Sequence, residues 1–248
     1  VITKKYIQIN NNSALSFYGD FVFFRLKRII PNLIFFITIT SIFVYLLDYN
    51  YKNTLIGALF SIFAISNIYF YINSLDYFSI DSSLNSFTHT WSLGVEEQFY
   101  LIFPFLIYAF VTNKIKKSYF LIPTLLSVFL FYSSATTSPS ATYYLIQYRF
   151  WQIAVGCLLI IYRHELKKLA NLIPVNAFLI PLIIVFTINT PYSRNLTLIS
   201  TLLFALIILS IGNSDQKSRI LESPKLATIG VLSYSLYLWH WPVISLSK

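Results

Sequence analysis

Apolar runs separated by short polar links make up most of this chain. Residues 29–48, 93–112, 119–133, 149–162, 172–189, 196–212 and 227–247 each form one such run. A helix rises about 1.5 Å per residue, so roughly 20 apolar residues cross the ~30 Å hydrocarbon core of a bilayer. No water there solvates a backbone, and a helix satisfies its own amides. The pattern therefore predicts an all-α fold, a polytopic integral membrane helical bundle of about seven or eight spans or re-entrant segments. It forms a single domain over residues 1–248. One further run, 54–73, is apolar but broken by Gly57, Ser61, Ser66 and Asn67.

Composition strengthens this reading. The chain is 56% hydrophobic and 11% charged, with a mean hydropathy of +0.66, whereas a soluble domain carries roughly 25% charge. The lone Cys157 lies within an apolar run, which excludes an intrachain disulfide and a cysteine-based metal cluster; it reads as a small apolar residue. No metal-ligand spacing, glycine-rich phosphate loop or nucleophile elbow occurs, so neither a metal nor a bound cofactor is expected. The chain contains no methionine, begins at Val1 without a leader and ends at Lys248 directly after an apolar run, so it reads as an internal piece of a longer protein.

Charge adds a topology. The formal net charge of +9 comes from 18 Lys and Arg against 9 Asp and Glu. The basic residues fall in the links between apolar runs, the positive-inside pattern, which argues against nucleic acid as a partner. If 54–73 re-enters or lies at the surface, 14 of the 18 basic residues face the cytoplasm; if it crosses, 8 do. The first arrangement is favoured, and a non-crossing segment at membrane depth lines protein or a cavity. It places Arg25 and Arg28 at the cytoplasmic side and the polar cluster at 89–97 at the outer side.

That cluster is the principal chemical signal. The run His89-Thr90-Trp91-Ser92-Leu93-Gly94-Val95-Glu96-Glu97-Gln98-Phe99-Tyr100 sets a histidine, two carboxylates and an amide at the mouth of an apolar helix. Acidic groups cost about 2.5–3.5 kcal/mol each at a bilayer centre, so they occur in membrane helices for a reason. Four blocks then follow in order: Arg25-Leu26-Lys27-Arg28-Ile29-Ile30-Pro31, the run from His89, Arg149-Phe150-Trp151-Gln152-Ile153-Ala154-Val155-Gly156, and Leu232-Ser233-Tyr234-Ser235-Leu236-Tyr237-Leu238-Trp239-His240-Trp241-Pro242. This series resembles acyltransferase family 3, the bacterial membrane O-acyltransferases that modify surface polysaccharides. The resemblance spans nearly the whole chain.

The resemblance implies a bundle of about ten helices, of which this chain would lack the first two, since Val1-Ile2-Thr3 resembles the end of the block after the second span. A first-span histidine central to transfer would be missing with them. Relatives with the Leu-Trp-His-Trp-Pro block often continue into a further span and a soluble hydrolase-like domain, of which this sequence shows no trace. The implied reaction takes an acyl group, acetyl foremost, from cytoplasmic acyl-coenzyme A, a co-substrate rather than a cofactor. It places that group on a sugar hydroxyl of a cell-surface glycan or lipid-linked sugar, at the bacterial inner (plasma) membrane, with the lipid bilayer as surroundings.

Each site residue has a chemical and a structural reading. Arg25 and Arg28 lie three apart on one helix face, a fork suited to the phosphates of coenzyme A, or a basic anchor snorkelling to headgroups; the family's Arg-x-x-Arg motif favours donor binding. Glu96 occupies the acidic position of Trp-Ser-Leu-x-x-Glu, where a partly desolvated carboxylate suits proton acceptance from the sugar hydroxyl. Glu97 is the better partner for the helix dipole. His89 orients Glu96 or the hydroxyl, or makes a loop hydrogen bond. Trp91 stacks on a sugar ring or anchors the interface. Arg149 pairs with Glu96, holds a polyanionic acceptor, or is an interfacial cation. Gln152 replaces a glutamate frequent in that block. His240 belongs to the acceptor side, or to an aromatic belt around one buried, hydrogen-bonded histidine, and Pro242 is expected to kink or end its helix.

Two other functions fit part of the pattern. A transporter or flippase also uses charged, broken membrane helices, but its charges fall mid-span, and those here cluster at span ends. A non-catalytic fragment would keep the helices and lack the upstream histidine.

Overall fold

A computed structural model of the chain describes residues 14–48, 50–76, 85–112, 116–162, 164–166, 181, 187, 194–211 and 223–247. The regular elements among them are helical: α1 (Ala14–Leu47), α2 (Tyr51–Ile62), α3 (Ser66–Asn73), a 3-10 turn (Thr88–Thr90), α4 (Trp91–Val111), a second turn (Lys117–Phe120), α5 (Leu121–Ser134), α6 (Pro139–Tyr144), α7 (Ile146–Ile161), α8 (Arg194–Ile211) and α9 (Pro224–Leu246). The all-α expectation holds. The run at 172–189 lies outside the described residues apart from 181 and 187.

Among the described residues two stretches are long and apolar enough to cross a bilayer, Tyr18–Leu47 with 30 residues and Pro139–Ile161 with 23. Ser118–Ser134 and Arg194–Ser210 are apolar but shorter. That is fewer than the runs read from the sequence: the run at 172–189 lies almost wholly outside the described residues, and Glu96, Glu97 and Gln98 make the first half of α4 polar. The outside is apolar nonetheless: Phe23, Phe35, Leu46, Phe129 and Val231 are exposed, while Phe36, Phe70, Phe99 and Phe131 are fully buried. Monomeric soluble proteins rarely carry so much exposed apolar surface.

On α1 the buried positions Ile29, Leu33, Phe36, Ile37, Thr40 and Val44 recur at spacings of three and four and so form one stripe. This stripe packs with Ala58, Phe70, Phe87, Leu93 and Leu238 into one core. A second core joins Phe21, Phe99, Phe103, Ile107, Phe120, Ala154 and Ile161, with Cys157 packed against it as a small apolar residue.

The broken run at 54–73 turns back on itself. α2 ends at Ile62, Ala64 takes a φ of 57°, and α3 begins at Ser66. Tyr69 of α3 stacks on Phe60 of α2 at 4.7 Å, and its hydroxyl donates to the Asn53 carbonyl at 3.2 Å near the start of α2. The two helices are the arms of a hairpin with residues 63–65 at its tip. At 12 and 8 residues, neither arm reaches across a bilayer alone.

The polar residues that interrupt the run are its fastenings. The Ser61 and Thr90 hydroxyls are 2.6 Å apart, and Ser66 Oγ donates to the Thr90 carbonyl at 2.9 Å. Gln98 Nε2 donates to Asn67 Oδ1 at 2.8 Å and to the Ala64 carbonyl at 3.4 Å. Asn67 Nδ2 returns a bond to Gln98 Oε1 and another to the Tyr144 carbonyl, both 3.3 Å. Ser61, Ser66 and Asn67 are all buried, so each would cost about 1–3 kcal/mol if left unpaired.

At the far end of the chain, α9 clamps the segment that leads into α4. Ser223 caps α9 by accepting from the Leu226 amide, with Pro224 in the first turn. Trp241 Nε1 donates to the Asn85 carbonyl at 3.0 Å, Ser245 donates to Ser86 at 2.9 Å, and the Tyr237 hydroxyl donates to the His89 carbonyl. Pro242 does not end this helix, which runs on to Leu246.

Gly94 is required by the hairpin tip. A Cβ there would stand 2.9 Å from Asn67 Oδ1 and 3.2 Å from the Ala64 carbonyl. We expect Gly94→Ala to destabilise the protein by about 1–3 kcal/mol, seen as a lower melting temperature in detergent. An unchanged melting temperature would show that the tip does not press on α4.

Candidate functional site

α1, α4 and the hairpin tip enclose a cavity of about 230 Å³. Its wall is mostly apolar, with Phe21, Leu26, Ile29 and Leu33 from α1, Leu93 and Leu101 from α4, and residues 61–64 at the tip. Leu93, Glu97, Tyr100 and Leu101 share one face of α4 because they recur every three or four residues. Arg25, Ser61, Glu97 and Tyr100 are the exceptions to the apolar lining. The Arg25 guanidinium carbon lies 3.6 Å from the centre of the Tyr100 ring, a stack worth ~2 kcal/mol when desolvated. Arg25 Nε and Glu97 Oε1 are both buried, and neither has a hydrogen-bond partner.

Glu96 is rotated roughly 100° around α4 from Glu97. Its side chain is exposed, yet it feels the Arg25 charge and itself acts on Tyr100, Tyr234 and Tyr237. It therefore lies in the recess where α1, α4 and α9 meet, beside the cavity. Glu97 lines the cavity, and Glu96, the more surface-exposed of the two side chains, stands beside it.

His89, in the turn ahead of α4, is 8% exposed. Its ring lies against Phe36 at 5.7 Å, Tyr237 at 5.3 Å and His240 at 5.4 Å, each edge-on. Neither ring nitrogen has a hydrogen-bond partner, so it makes no bond to Glu96. Burial, reinforced by His240, pushes its pKa from 6.5 down to about 3 against a weaker pull from the Leu238 carbonyl. His89 is neutral at ordinary pH. His240 is exposed, with Nδ1 2.6 Å from the Tyr237 carbonyl; the buried histidine of the aromatic cluster is His89.

Trp91 forms the floor of a third group. The Arg149 guanidinium lies 4.9 Å from the Trp91 ring centre and 5.0 Å from that of Tyr143, and the two rings are 4.7 Å apart. Arg149 Nε donates to the Tyr143 carbonyl at 2.8 Å, and Nη1 donates to Gln152 Oε1 at 3.4 Å. Gln152, standing where relatives of the resembled family often carry an acid, thus steers the guanidinium without neutralising it.

Arg25 and the carboxylates do not stand at opposite sides of the bundle, as the charge count implied, because α1 carries Arg25 into the same cavity as Glu97. Arg28, three residues on, is exposed. Residues missed by the sequence reading are Tyr100, Ser92, Tyr143 and Tyr237. Ser92 Oγ and the Tyr237 hydroxyl lie 2.7 Å apart across 145 residues of chain, a pairing with no local signal. Tyr100 was legible, since 93, 97 and 100 trace a helical stripe. Among the described residues no group of three or more His, Cys, Asp or Glu is placed to hold a metal ion.

A family model described as an acyltransferase domain, Acyl_transf_3, matches residues 11–248. The chain belongs to acyltransferase family 3. It is 30% identical over 243 residues to the O-acetyltransferase OatA of Staphylococcus aureus (strain NCTC 8325 / PS 47), covering 89% of this chain and 40% of that protein. It is 28% identical over 271 residues to the putative peptidoglycan O-acetyltransferase YrhL of Bacillus subtilis (strain 168), covering all of this chain and 42% of that one. A putative O-acetyltransferase of S. aureus (strain COL), SACOL0978, is 28% identical over 250 residues. The chain thus spans about 40% of the length of these curated relatives. No solved structure matches it.

The buried neutral His89 carries a pH signature. Its folded-state pKa is depressed, so the unfolded chain binds a proton below 6.5 that the folded protein refuses down to about 3. Stability from this group is present above 6.5 and is lost as pH falls toward 3. The melting temperature of the wild type should fall more steeply between about pH 7 and pH 4 than that of His89→Leu. Parallel slopes would place His89 in water.

Proposed function

We propose that this chain is the membrane-embedded part of an O-acyltransferase that moves an acyl group, acetyl foremost, from cytoplasmic acyl-coenzyme A to a sugar hydroxyl of a cell-surface glycan. The supporting observation is the buried Arg25, Glu97 and Tyr100 cavity at the meeting of two blocks that carry the family resemblance. The name of the Bacillus relative makes peptidoglycan the first acceptor to test. In this reading the chain is a multi-pass bundle of the bacterial plasma membrane with about seven or eight spans or re-entrant segments, its exposed apolar residues facing lipid. The hairpin of α2 and α3 is one of the re-entrant segments.

Roles follow from position. Arg28, exposed on α1, contacts donor phosphates, and Arg25 holds the donor inside the cavity. Glu96 stands in the recess beside that cavity and accepts the proton of the attacking sugar hydroxyl. The hydroxyl oxygen forms the new ester bond to the acyl carbon, the carbon–sulfur bond breaks, and the coenzyme A sulfur leaves as thiol once it gains a proton. The aromatic faces of Trp91 and Tyr143 seat the sugar ring, Arg149 attracts an acidic acceptor, and His89 and His240 border the acceptor side. A cavity walled by hydrocarbon keeps water from the thioester.

A full-length protein carrying this domain, supplied with labelled acetyl-coenzyme A, should label a peptidoglycan acceptor; no transfer to any matched glycan would sink the reading. Glu96→Gln should reduce transfer by about 10²-fold or more, the usual scale of general-base loss, while membrane insertion stays unchanged. Near-normal turnover would remove Glu96 from the chemistry.

A further inference from the structure

The two unpaired atoms in the cavity differ in kind. Arg25 Nε carries a hydrogen to donate, and Glu97 Oε1, as part of an ionised carboxylate beside the Arg25 charge, only accepts one. Both are buried, and the surface between them is otherwise largely apolar. One donor and one acceptor set in hydrocarbon walls complement a secondary amide on an aliphatic arm, which offers one C=O and one N–H. A phosphate fits poorly. It brings no hydrogen for Glu97, and the Glu96 and Glu97 carboxylates, which already share the Arg25 charge, repel it.

Resting on the acyl-coenzyme A reading above, we infer that this cavity takes the neutral pantetheine arm of the donor, with Arg25 Nε–H donating to an arm amide carbonyl and Glu97 Oε1 accepting an amide N–H. The nucleotide phosphates then fall to exposed Arg28, so the two arginines of the motif divide the donor between them. An N-acetyl sugar also carries a secondary amide. Its ring hydroxyls, however, would lose water against Leu26, Ile29, Leu33 and Leu101 without gaining partners. The arm, two amides joined by short aliphatic links, pays no such penalty.

The test is competition against labelled acetyl-coenzyme A bound to the protein in lipid nanodiscs, with three probes: S-acetylpantetheine, the adenosine bisphosphate half of coenzyme A, and N-acetylglucosamine. Glu97→Leu should weaken S-acetylpantetheine by about tenfold, the loss of one buried hydrogen bond, and the adenosine bisphosphate by less than about twofold. Arg28→Ala should do the reverse. Glu97→Gln keeps the acceptor oxygen and should retain S-acetylpantetheine, which separates a lost contact from a lost fold. The inference is overturned if S-acetylpantetheine fails to compete in the wild type, if Glu97→Leu weakens both halves of the donor equally while Glu97→Gln binds normally, or if N-acetylglucosamine is the probe that Glu97→Leu affects. A wild type that binds no acetyl-coenzyme A overturns the donor reading itself, and this inference with it.

Discussion

The exchange of hydrogen bonds between the Asn67 and Gln98 amides is the contact on which the site depends. In apolar surroundings a buried amide needs partners for both its oxygen and its nitrogen, and these two side chains supply each other. The pair ties the hairpin tip to α4 one residue after Glu97 and four after Gly94. It thereby fixes the hairpin tip as a wall of the cavity and sets the rotation of α4 that turns Glu97 toward it. Thr90 extends the same network to the start of α4, where its hydroxyl pairs with that of Ser61 and its carbonyl accepts from Ser66 beside His89 and Trp91. The hairpin, the cavity and the aromatic end are therefore coupled through a few polar side chains, not through apolar packing alone.

Much of the architecture was legible in the sequence because helix formation in an apolar chain is a local matter. The apolar runs mark α1, α4, α5, α7, α8 and α9, and the polar breaks at Ser61, Ser66 and Asn67 marked the segment that turns back. What those breaks bond to was not legible, since Thr90, Gln98 and Tyr144 come from distant parts of the chain. The same limit applies to the candidate site. Spacing placed Arg25 and Arg28 on one helix and Glu96 beside Glu97, but which carboxylate lines a cavity depends on the rotation of α4 against α1. Charge counting assigns a residue to a side of the membrane and says nothing of depth. A long helix such as α1 carries Arg25 away from its link and into the bundle.

Placing a cation and a carboxylate in an apolar cavity is costly, and the arrangement limits that cost without removing it. Arg25 lays its planar face on Tyr100, which offsets desolvation through the ring quadrupole and leaves the guanidinium edge open. The Arg25 charge is shared between Glu96 and Glu97, so it is balanced on both the cavity side and the recess side of α4. The result is a cation held without consuming all its donors. Such partial satisfaction is unfavourable in an empty structural core, but it suits the binding and release of a neutral group that we infer above. Glu96 lies within electrostatic range of both Arg25 and Tyr237, so its charge is felt on the α1 side and on the α9 side of α4. Under the acyl-transfer function proposed above, an acyl group held beside Arg25 and a hydroxyl held beside Tyr237 would both lie within range of the Glu96 charge.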